Sequence, residues 1–192
     1  SARPPPEKEP NTMARHDDDD QGPQLVHLAT LGVTALPDRL EGVALILRMP
    51  SGAGGEQAAI ADWIRLCSKE DCALLTASVA DGGEDLPPNG VDGFVSFDMQ
   101  ADKALRDDFP EMQIIAANLP SRHAAMQAGD LGADALFFGD LRADTLEGMQ
   151  AGTEDDLAEW WVEIMEVPCI IPVASAAEDP DYAPEFIAVP LP

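Results

Sequence analysis

Lysine is nearly missing from this chain. Lys8, Lys69 and Lys103 are the only three, and Lys plus Arg total 11 against 36 Asp and Glu, for a net charge of −25. Nucleic-acid surfaces need clustered Lys and Arg to neutralise phosphates, so this balance excludes that class of partner. Aromatics are also scarce, at 5%, so a core must come mainly from Ala, Leu, Ile and Val. Long apolar runs are absent too. None reaches the roughly 18 residues that a membrane span requires. The opening SARPPPEKEP lacks the basic-then-apolar order of a signal peptide, and a cytoplasmic protein is expected. The three cysteines, Cys67, Cys72 and Cys169, form no CxxC pair, so buried thiols in a reducing compartment are expected. His16, His27 and His123 show no ligand spacing, so neither a metal site nor a cofactor is expected.

Two explanations compete for the acidity. Adaptation to high salt would spread carboxylates over the whole surface, whereas a basic protein partner would favour one dense patch. The acids run from Asp17 to Glu185 without concentrating, which favours the first. Residues 1–22 read as an extended or disordered arm, since Pro4-Pro5-Pro6, charged residues and Asp17–Asp20 leave nothing apolar to bury. Residues 23–192 then make a single domain, long enough for one well-buried core.

From Gln24 onward strands and helices alternate. The strands read as Leu25–Ala29, Val43–Met49, Ala73–Ser78, Gly93–Phe97, Gln113–Asn118, Ala135–Gly139, Cys169–Ala174 and Phe186–Val189. Glu56–Ser68 is a strong helix, with Ile60, Trp63, Ile64 and Cys67 at helical spacing. Glu154–Glu166 is another, with Thr153 as its expected cap. Ala101–Asp108 and His123–Leu131 are acceptable helices; Leu36–Leu40, Glu84–Val91 and Ala176–Glu185 are too short or too proline-rich. Eight strands with crossovers predict an α/β fold, a short (β/α)8 TIM barrel lacking a full final helix. An open doubly wound sheet is the runner-up. Without that helix, the wall beside the eighth and first strands is expected to stay bare unless the amino-terminal arm, another polypeptide or a second copy of the chain covers it. Another polypeptide is favoured, because residues 1–22 are too polar to do so well.

Ser121–Asp140, SRHAAMQAGDLGADALFFGD, contains one whole repeat: an amphipathic helix, a turn at Gly132, a short buried strand and Gly-Asp at its carboxyl end. This wording resembles the thiamine phosphate synthase and thiazole tautomerase family, where "A..AGADYVGFG" follows the fifth strand. The resemblance covers roughly Leu25–Val189 and is strongest from Ile114 to Asp140. It implies a barrel whose chemistry sits at the carboxyl ends of the strands.

Those ends depart from the family pattern in a consistent direction. After the second strand, the family's Gln-x-Arg-x-Lys pyrophosphate motif becomes Ile46-Leu47-Arg48-Met49-Pro50, which leaves Arg48 alone to fork onto a phosphate or pair with an acid. After the third, Asn-Asp-Arg becomes Thr76-Ala77-Ser78, with no magnesium carboxylate. After the fourth, Asp98 is a single candidate oxygen ligand, where a hard dication needs more. Asn118 follows the fifth strand as a possible hydrogen-bonding group, while Ser121 is read as a helix cap and His123 as an exposed helix residue. After the sixth, Asp140–Gly152 has no Lys, and Arg142 is its one cation. After the seventh, Val173-Ala174-Ser175 replaces a glycine phosphate cradle. The glycines of Pro50–Gly55 precede a helix but are followed by Glu56, so a flexible connection is the better reading.

The candidate ligand-binding residues are therefore Arg48, Thr76, Ser78, Asp98, Asn118 and Asp140, with no catalytic residue assigned. The leading reading is a thiamine phosphate synthase-like barrel that does not catalyse and serves as a binding or structural accessory in a larger assembly. The alternative is an active enzyme joining a hydroxymethylpyrimidine pyrophosphate to a thiazole phosphate. A small-molecule sensor using the barrel mouth is a third.

Overall fold

The computed structural model describes residues 22–50, 57–80 and 86–192. The expected arm, apart from Gly22, and most of the Pro50–Gly55 connection lie outside the described residues. Eight parallel strands close into one barrel in chain order. They are β1 (Gln24–Thr30), β2 (Ala44–Met49), β3 (Ala73–Ser78), β4 (Gly93–Ser96), β5 (Gln113–Ala116), β6 (Ala135–Phe137), β7 (Cys169–Pro172) and β8 (Phe186–Pro190). The open-sheet alternative is excluded because β8 pairs directly with β1, Val26 opposite Ala188.

Strand alternation divides the core in two. Val26, Leu28, Ile46, Leu75, Val95, Ile115, Phe137 and Phe186 belong to one buried cluster that fills the barrel. The intervening residues face outward toward the helices, which is why the strands read as unbroken apolar runs. Packing inside is close. A Cβ on Gly93 would collide with the Gln113 carbonyl and lie 2.9 Å from Leu75 Cδ2.

The helices are α1 (Gln57–Lys69), α2 (Lys103–Asp108), α3 (Arg122–Asp130), α4 (Leu146–Gln150) and α5 (Leu157–Ile164). Ile60, Trp63, Leu66 and Cys67 of α1 join Leu45, Leu47 and Leu74 in an outer cluster. Trp161 of α5 is fully buried, meets Phe138 edge-on at 5.9 Å and donates from Nε1 to the Val167 carbonyl at 2.7 Å. That combination of buried area and a satisfied indole N–H anchors α5. Ser121 caps α3, accepting from the Ala124 amide. Thr153 is not a cap, contrary to expectation. Its hydroxyl donates to the Leu119 carbonyl at 3.3 Å, and the cap position of α5 is Asp156, whose side chain makes no capping hydrogen bond. Helix α4 was not expected, because five residues carry too little periodicity to read; Thr145 starts it by accepting from Gly148 N.

The amino-terminal face of the barrel is tied by a recurring device. The acid one residue before β4, β6 and β8 bonds to an amide of the preceding strand: Asp92 to Leu74 N at 2.9 Å, Asp134 to Ile114 N at 2.8 Å and Glu185 to Cys169 N at 3.0 Å. Gly90 and Gly132, at φ +90° and +94°, make the turns that lead into the first two. Before β2 the sense reverses, with Gly42 N donating to Nε2 of His27 at 3.0 Å.

The wall at the seam is less bare than expected. Ile187 of β8 is 2% exposed and packs in a cluster with Trp161 and half-buried Tyr182. Ala29 of β1 is covered by Leu31 and Leu40, and Leu191 N donates to the Leu28 carbonyl.

Candidate functional site

The carboxyl ends of the strands form a mouth that the segment after β6 folds into. Leu141 is fully buried and Met149 5% exposed, and both belong to the same cluster as Ile46 and Phe137 inside the barrel. This fold-back requires Gly139, whose φ is +155° and whose Cβ would stand 2.8 Å from the Met149 carbonyl. Asp140 N donates to that same carbonyl at 2.8 Å.

Arg48 projects into the mouth from β2 and is 6% exposed. A buried guanidinium must have its donors satisfied. Nε donates to the Leu141 carbonyl at 2.6 Å and Nη1 to Thr30 Oγ1 at 3.0 Å. Nη2 lies 3.8 Å from Asp144 Oδ1, a carboxylate that is almost entirely solvated, so that pair adds little. The arginine is thus held chiefly by neutral oxygens.

A second group sits beside it. Asp140 Oδ1 accepts from Arg142 N at 2.9 Å and from Arg142 Nε at 3.4 Å. Arg142 Nη2 donates to Asn118 Oδ1 at 3.2 Å, and its guanidinium lies 5.4 Å from the centroid of the Phe97 ring. Asn118 has φ +60°, a left-handed conformation that Asn tolerates better than most residues. Arg48, Asn118 and Asp140 are therefore brought together at the mouth, the last two through Arg142.

Thr76 and Ser78 stand apart, whereas Asp98 lines a cavity of about 360 Å³ together with Asn118 and Phe97. Thr76 and Ser78 alternate with the interior residues Leu75 and Ala77 on β3, which turns them toward the outer layer. Thr76 is 2% exposed, and Ser78 Oγ is buried with no hydrogen-bond partner among the described residues. Asp98 shapes the turn after β4, where its Oδ1 accepts from Ala101 N at 3.1 Å and its carbonyl from Asp102 N at 3.0 Å. His123 is exposed on α3. Thr30, Leu141 and Asp144 escaped sequence reasoning. Only the acidity of the segment after β6 hinted at Asp144; nothing hinted at Thr30, and the Leu141 backbone carbonyl leaves no sequence signal.

The thiols offer no nucleophile. Cys67, Cys72 and Cys169 are free and buried. Cys67 is pushed well up by its hydrogen bond with Cys72 and then by burial, and Cys169 by burial and the neighbouring Glu185. Raised thiols remain protonated and inert. Tyr182 is pushed up to about 12, mainly by burial.

Over 108 residues the chain is 31% identical to the thiamine-phosphate synthase of Erythrobacter litoralis (strain HTCC2594), covering 55% of this chain and 50% of that protein. Over 50 residues it is 40% identical to the thiamine-phosphate synthase of Rhodospirillum centenum (strain ATCC 51521 / SW), covering 26% and 24%. The relationship to thiamine-phosphate synthases is a divergent one. The chain spans about half the length of the first of these relatives and about a quarter of the second. No family model matches it, and no solved structure matches at a significant level. The similarity to thiamine-phosphate synthases agrees with the closed parallel barrel. No described helix is long and apolar enough to cross a membrane.

Proposed function

We propose that this protein is a thiamine-phosphate synthase-like barrel that does not transfer pyrophosphate-activated groups and acts as a binding or structural accessory protein. The observation that supports the reading is the state of Arg48. It is the one cation retained from the phosphate-binding pattern to which the chain has a resemblance, and its guanidinium is taken up by the Leu141 carbonyl and Thr30. The leaving pyrophosphate of such a reaction needs cations or metal-held carboxylates where charge develops. Arg142, the other arginine at the mouth, is likewise engaged with Asp140 and Asn118.

Calorimetry with inorganic pyrophosphate and magnesium tests this. The expected result is no magnesium-dependent binding and no thiamine phosphate formed from the two phosphorylated precursors. Tight magnesium-dependent binding that disappears in Arg48→Ala would overturn it. It would support instead the alternative, an active synthase.

A further inference from the structure

A cavity of about 400 Å³ lies outside the barrel, between α5 and the segment that joins β7 to β8. It is separate from the mouth and shares neither Arg48 nor Arg142. Its apolar side comes from four parts of the fold: Phe138 just after β6, Ala158 of α5, Ile171 of β7 and Tyr182. Phe138, Ala158 and Ile171 are at most 8% exposed, so this surface is fixed by the core. Four carboxylates also line it, Glu154 and Asp155 before α5 and Glu178 and Asp179 beyond β7, alongside the neutral polar side chains of Gln150 and Thr153. Glu178 Oε1 also accepts from Ala174 N at 3.1 Å.

None of the residues lining this cavity is Lys, Arg or His. Arg122 reaches α5, but it pairs with Asp156 at 3.6 Å and lies over Trp160, neither of which lines the cavity. An anion would meet four like charges there, and a neutral apolar molecule would desolvate carboxylates without replacing their water. A cation carrying N–H donors and an apolar body meets both demands, with charge-assisted hydrogen bonds at the rim and burial on the floor. A bare metal ion is a poorer match, because no three His, Cys, Asp or Glu side chains converge among the described residues. We propose that this cavity binds a small primary amine with an aromatic or alkyl body.

The test uses three probes of nearly equal shape on the full chain: phenethylamine, phenethyl alcohol and phenylacetate, with methylamine as the control for charge alone. Phenethylamine should bind saturably. The alcohol and methylamine should each bind at least about tenfold more weakly, and phenylacetate not at all. Glu154→Gln with Asp155→Asn should weaken amine binding by about tenfold. Ala158→Leu, which fills the floor, should abolish it; if that variant does not fold, the charge variant alone decides. Equal binding of amine and alcohol would overturn the proposal. So would equal binding of phenethylamine and methylamine, or amine binding that the charge variant leaves unchanged.

Discussion

Arg48 and His27 lie on neighbouring strands, and each is hydrogen-bonded to a backbone group of another segment. Oxygens from Leu141 and Thr30 replace water around the Arg48 guanidinium. His27 is kept neutral, its pKa lowered by burial against a smaller opposing pull from Glu41, because Nε2 must accept from Gly42 N. The linkage has a definite sign. The unfolded chain takes up the proton near 6.5 and the folded chain only at lower pH, so the stability from neutral His27 is full above pH 6.5 and lost as pH falls below it. Protonating carboxylates relieves repulsion in the same range, so the comparison must be between variants. In thermal melts below pH 6.5, wild type should lose more stability than His27→Gln, whose amide oxygen can still accept from Gly42. Parallel pH profiles would show that His27 does not carry the effect.

At the scale of elements, the acids that precede even-numbered strands close the sheet where its side chains give way to turns. Asp134 bonds to Ile114 N and also to Arg106 at 2.8 Å, tying β5, β6 and α2 together. Asp134→Ala should cost about 1–3 kcal/mol, because the Ile114 amide is left without its acceptor. Asp134→Asn should cost less, since an amide oxygen can still accept. Denaturant melts measure the difference, and equal losses would assign the effect to the ion pair with Arg106. Most of this architecture was legible. The eight expected strands match the eight observed within a few residues, because a strand covered on both faces must be apolar throughout. Helix α4 and the cap of α5 were not legible. The first is too short to show a period, and Thr153 was free to bond across to Leu119 rather than along its own helix.

For the whole molecule, 36 acids against 11 cations leave most carboxylates without an opposite charge. Self-repulsion on this scale opposes the compact state and is screened by salt. Tm should rise by several degrees between about 0.05 and 1 M sodium chloride, as the screening length falls from more than about 10 Å to about 3 Å. A flat response would mean that the carboxylates are spaced widely enough not to repel one another.

The sequence by itself determined the barrel. Its strand count, its buried runs and the small residues at Gly93 and Gly139 are local properties, readable from period and composition. It also determined that the strand ends carry few phosphate-binding cations. Only the tertiary structure decided what the remaining ones do. Arg48 meets Leu141, which lies 93 residues away, and Asn118 meets Arg142 at a separation of 24. Contacts of that kind depend on how a loop folds over the mouth, and a carbonyl acceptor belongs to every residue alike. The same holds for the outer cavity: its carboxylates come in two pairs from separate segments, and only the packing of α5 beside the β7–β8 connection gathers them round one apolar floor.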